Sequence, residues 1–97
     1  MNKDKVYVVM EDWKIDSGES DIYESVFSTF EKAMKYALHL KENYEQDFET
    51  KERKDEIYTN EENIIAESEI FDILVSFEDS ADYYRIWIDK KNIDEEV

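Results

Sequence analysis

The chain has 97 residues, with 12 Lys and Arg against 27 Asp and Glu, a net charge of −15. That excess of negative charge argues against direct binding to nucleic-acid phosphates and against adsorption to an anionic membrane. The sequence has no cysteine and one histidine, which excludes disulfide scaffolds, thiolate zinc sites, cysteine nucleophiles and multi-His metal sites.

The length suits a single domain spanning residues 1–97. A mean hydropathy of −0.80 and 40% charged residues lie close to the disordered regime. Aromatics at 14% of the chain, clustered with other apolar residues, point instead to a folded protein. No apolar run approaches the ~20 residues that cross a bilayer, and the first residues lack a signal-peptide pattern, so a cytoplasmic location is expected.

Residues 5–15 are β-branched and aromatic and predict a strand, with Val6, Val8 and Met10 on one face and Tyr7, Val9, Trp13 and Ile15 on the other. Asp16 to Asp21 contains the only glycine, Gly18, and reads as a turn. Residues 22–27 then close a hairpin. At Ser28-Thr29-Phe30-Glu31 a capping box starts a helix, in which Ser28 would cap the Glu31 amide. Phe30, Ala33, Met34, Ala37, Leu40, Tyr44 and Phe48 recur at three- and four-residue steps along it, with His39 on the polar side.

Residues 49–63 read as a charged excursion, with a weak strand signal at 63–67. Phe71, Ile73, Val75 and Phe77 alternate with polar or smaller residues, and Tyr84, Ile86 and Ile88 do the same after a turn at 78–82. The last residues, 94–97, are expected to fray. The order is β-β-α-β-β, an α+β fold. It is expected as a four-stranded antiparallel sheet with one amphipathic helix packed on one face. The helix is expected over Val6, Val8, Met10, Tyr84, Ile86 and Ile88. Tyr7, Val9, Trp13, Tyr83, Arg85 and Trp87 would then lie on the second face, open to a partner, covered by residues 49–67, or used in a homodimer.

No motif predicts a reaction. Among so many carboxylates a paired-acid constellation carries little meaning, and Gly18 stands at the wrong place for a calcium loop. No enzyme activity, cofactor or metal is expected. The acidity is spread along the chain and exceeds the magnitude of about 2–8 that solubility requires of a small domain. Carboxylates held on a rigid scaffold can present the field of a nucleic-acid backbone to an Arg/Lys groove.

At Val6-Tyr7-Val8-Val9, Asp12-Trp13, Val26-Phe27-Ser28-Thr29-Phe30-Glu31-Lys32-Ala33 and Tyr36 the chain resembles small proteins from phages and mobile elements of low-GC bacteria. The resemblance covers about the first 40 residues and carries over no functional residue. In size, acidity and lack of catalytic motifs the chain is also similar to phage anti-CRISPR and anti-restriction proteins, some of which mimic DNA; that similarity is one of class. It implies a phage-encoded inhibitor that occupies the basic surface of a host nucleic-acid-binding protein. The alternative is a protein–protein interaction or dimeric accessory protein without mimicry. The expected partner-binding carboxylates are Glu11, Asp12, Asp16, Glu19 and Asp21 around the first hairpin and Glu78, Asp79 and Asp82 on the second. The expected anchors are Trp13, Tyr83 and Trp87.

Overall fold

The computed structural model describes residues 5–92; the frayed end expected at 94–97 lies outside them. Strands β1 (Lys5–Lys14) and β2 (Ser20–Phe27) are followed by helix α1 (Phe30–Asp47), then β3 (Ile57–Ile65), β4 (Ile70–Phe77) and β5 (Tyr83–Asn92). Short 3-10 turns occupy Lys54–Glu56 and Ala66–Ser68. All strands join one open antiparallel sheet in the order β2-β1-β5-β4-β3.

The α+β class with a single helix on one face agrees with the sequence, but the sheet has five strands, not four. The additional strand is β3, which takes up much of the segment that reads as a charged excursion. A register shift at Tyr58, between Ile57 and Thr59, interrupts its two-residue period. Its remaining helix-side positions include the exposed Asn60 and Glu62, so apolar residues mark only its two ends. It pairs on one side only, where an edge strand can carry such polar residues.

The helix begins one residue later than the capping box suggests. Thr29 is the N-cap, with its hydroxyl accepting from the Lys32 amide at 3.2 Å. Glu31 falls in the first turn, where its charge suits the positive end of the helix dipole. The helix crosses the sheet over β2, β1 and β5, and residues 48–56 carry the chain on to the β3 edge. Its N-terminal end meets the start of β1, where Tyr7 and Phe30 rings stand edge to face at 5.9 Å. Towards its C-terminal end Tyr44 stacks on Tyr84 at 5.3 Å.

Phe30, Ala33, Ala37 and Leu40 pack on Val9, Phe71, Ile73, Val75, Tyr84 and Ile86. Leu38, beside the apolar stripe, is exposed. On β4 and β5 the expected residues face the helix, but on β1 the faces are reversed. The register sets Val9 against Ile88 and Trp13 against Tyr84, so Tyr7, Val9 and Trp13 lie under the helix and Val6, Val8 and Met10 lie on the far side. Both sets are apolar, so alternation alone cannot choose between them. The arrangement found places the larger rings against the helix, where more area is removed from water.

The far face carries Met10, Ile22, Val26, Leu74 and Trp87 by register, and no element among the described residues lies over it. Residues 49–67 do not cover it; they turn at the helix end and extend the sheet.

Ile86 is fully buried on a central strand between β1 and β4. Ile86→Ala is expected to lower unfolding stability by about 2–5 kcal/mol, read from the urea midpoint. A change within ~0.5 kcal/mol would contradict this core.

Candidate functional site

Because β1 and β5 are antiparallel neighbours, Lys14 at the end of β1 pairs with Tyr83 at the start of β5. The β1–β2 and β4–β5 loops therefore emerge side by side at one end of the sheet. In the first loop Gly18, at φ 103°, donates to the Ile15 carbonyl, and Ile15 in turn donates to Glu19. In the second, Asp79 takes the left-handed conformation at φ 61°, supplying the positive φ that a glycine would otherwise provide.

The loops cap one another through their aspartates. The Asp16 amide donates to Asp82 Oδ1 at 2.7 Å, and the Ala81 amide donates to Asp16 Oδ1 at 3.3 Å. Arg53 ties the segment after the helix to the same point. Its Nη1 donates to Asp82 Oδ2 at 3.0 Å and to the Phe48 carbonyl at 3.2 Å, and its Nε donates to Glu56 at 3.0 Å. The guanidinium lies over the Phe77 ring at 3.9 Å. The Glu78 amide closes the set by donating to the Glu56 carbonyl at 2.6 Å.

This end of the molecule is strongly negative. Asp16, Glu19, Asp47, Glu49, Glu52, Asp55, Glu56, Glu78 and Asp79 are exposed there. Lys14, Lys51, Arg53 and Lys54 are the cations set among them. The C-terminal end of α1, with no basic residue in its last turn, adds the negative end of its dipole. At the opposite end Lys5, Lys90 and Lys91 cluster by register, and Lys90 pairs with Glu69 at 3.0 Å. Glu69 also accepts from the buried Tyr7 hydroxyl, and its pKa is lowered chiefly by the Lys90 hydrogen bond.

Of the residues singled out in the sequence, Asp16, Glu19, Glu78 and Asp79 share this acidic pole. Asp82 is there too, but largely buried as the tie between the loops. Asp21 is exposed at the start of β2 and accepts from the Ile22 amide at 2.8 Å. Glu11 is not a surface carboxylate: it is buried beneath α1, accepting from the Tyr44 hydroxyl at 2.8 Å. Burial first, then this bond to Glu11, pushes the Tyr44 pKa well above its ordinary value.

Asp12 lies on the uncovered sheet face and accepts from Tyr83 at 3.1 Å. Trp87 is on that same face, under the Arg85 guanidinium at 4.1 Å, while Arg85 forks onto Asp72 at 3.0 and 2.7 Å. Trp13 is on the helix side. The three aromatic anchors therefore do not form one patch, as the reversed facing of β1 requires. Arg53 and Tyr44 organise this region and were not singled out: Arg53 looks like a local charge balance, and Tyr44 like one more residue of the helix stripe.

No group of three or more His, Cys, Asp or Glu able to hold a metal occurs among the described residues. No helix there is long and apolar enough to cross a membrane. No family model, curated protein or solved structure matches the chain.

Asp82→Ala removes two charge-assisted hydrogen bonds at once, and is expected to cost about 1–3 kcal/mol of stability by urea denaturation. Glu78→Lys, at an exposed position, is expected to change stability by less than ~0.5 kcal/mol. Equal effects would contradict the structural role of Asp82.

Proposed function

We propose that the chain is a non-enzymatic acidic binding protein whose loop end occupies a basic groove of a nucleic-acid-handling protein, as a phage-encoded inhibitor of the anti-CRISPR or anti-restriction type would. The observation that carries this reading is the mutual capping of the two loops. It fixes a set of carboxylates that would otherwise repel one another and presents them together at one end. A patterned array of negative charge on a stiff support is what a groove built for phosphates attracts.

The uncovered sheet face favours a second reading, in which two copies associate through Met10, Val26, Leu74 and Trp87 without mimicry. Met10 and Trp87 are paired neighbours on that face, but the Arg85–Asp72 ion pair stands between Trp87 and Leu74, and the net charge opposes self-association at low salt. Sedimentation across protein concentration separates the two. A monomer throughout removes the second reading, whereas a dimer dissociated by Val26→Glu supports it.

The test of the leading reading is capture of the host partner followed by salt elution and competition with duplex nucleic acid. The Glu19→Lys, Glu78→Lys double variant is expected to slow association about tenfold at low salt, with the difference fading as salt shortens the screening length to ~3 Å at 1 M. Capture that ignores salt, nucleic acid and both substitutions would overturn it.

A further inference from the structure

Below the acidic pole, between the C-terminal half of α1 and the β1–β2 hairpin, lies an open cleft of about 450 Å³. Trp13 and Tyr23 form one side, and Leu40 and Tyr44 the other. Asp47 and Asp82 also line it. Its floor is Glu11, only 6% exposed. Oε1 of that carboxylate accepts from Tyr44, and Oε2 has no hydrogen-bond partner among the described residues. Arg53, the nearby cation, is directed to Asp82, Glu56 and the Phe48 carbonyl.

A buried carboxylate with an open acceptor is costly unless something donates to it. The donor must be cationic to match three lining carboxylates against one guanidinium. It must also be flat and weakly hydrated to lie against aromatic rings. A guanidinium meets these requirements better than an ammonium, because its planar fork donates in its own plane while its face stacks on a ring. A metal ion is a poorer fit, since the cleft offers aromatic walls in place of further oxygen ligands.

We propose that this cleft receives a guanidinium group, an arginine side chain of the basic partner, which donates to Glu11 Oε2 and stacks against Trp13 and Tyr23. That the arginine belongs to such a partner rests on the reading above; the affinity of the cleft for guanidinium does not. The acidic pole would draw the partner in, and the cleft would hold one residue of it. Charge at the pole would set the arrival rate and the seated side chain would set the departure rate.

The chain has two tryptophans, so Trp87→Phe leaves Trp13 as the sole reporter. This variant is titrated with N-acetylarginine amide, N-acetyllysine amide and the neutral isostere N-acetylcitrulline amide. A saturable change in Trp13 emission at millimolar arginine probe is expected, at least tenfold weaker with citrulline and weaker with lysine. Glu11→Gln keeps an acceptor for Tyr44 and is expected to weaken the arginine probe at least tenfold with the circular dichroism unchanged. Should that variant not fold, Tyr23→Ala, at a half-exposed edge-strand position, is expected to weaken it severalfold. The proposal is overturned by no saturation up to about 100 mM, by citrulline or lysine binding as well as arginine, or by undiminished binding in the folded variants. A failed titration alongside salt-sensitive partner capture overturns the cleft alone. A normal titration alongside salt-insensitive capture overturns the acidic pole alone.

Discussion

Asp82 holds the loop end together. One of its oxygens takes the Asp16 amide and the other takes Arg53, while Asp16 returns a bond to Ala81. A hydrogen bond to a charged group contributes at most roughly 1.5–3 kcal/mol, and less where one partner is exposed to water, as at the Asp16 amide. Repulsion between two exposed carboxylates in water is about 1 kcal/mol at 4 Å and is screened beyond ~8–10 Å. A few well-placed bonds can therefore hold two acidic loops side by side against their mutual repulsion. The same bonds consume Asp82, so the carboxylate most central to the pole is also the least available to a partner.

The rest of the architecture follows from where that lock sits. Pairing β1 with β5 brings the two hairpins into one sheet, and because the pair is antiparallel their loops emerge at the same end. Helix α1 then points its negative end toward those loops, and residues 48–56 return beneath it with Arg53 reaching Asp82. Tyr84 fixes the junction from inside: its hydroxyl is 3.0 Å from that of the buried Thr50, and its ring is 5.0 Å from that of Phe48. The core thus reaches directly under the charged end and stiffens it. The cleft over Glu11 lies where the helix and the first hairpin diverge.

Much of this frame was legible in the sequence. The helix stripe from Phe30 to Phe48 was plain because its other side is polar. β4 and β5 were plain because one side of each, as far as Ile88 on β5, is wholly apolar and the other mixed. β1 was legible as a strand but not in its facing, since Val6, Val8 and Met10 are as apolar as Tyr7 and Val9. β3 was hidden by its bulge and its edge position, which remove the alternation that marks a half-buried strand. The acidic loops could be found one at a time, but their convergence depends on strand order, a non-local property no local period records. Glu11 could not be told from its neighbour Asp12 on the opposite, uncovered face, because only the helix decides which of the two is buried.

The central claim is that the two loops form one rigid unit, and native-state hydrogen exchange at the Asp16 and Ala81 amides tests it most directly. The account predicts protection of both amides approaching that of neighbouring strand amides, with both losing protection together in Asp82→Ala. Exchange at the rate of free loops in the unaltered protein, with strand amides still protected, would contradict it.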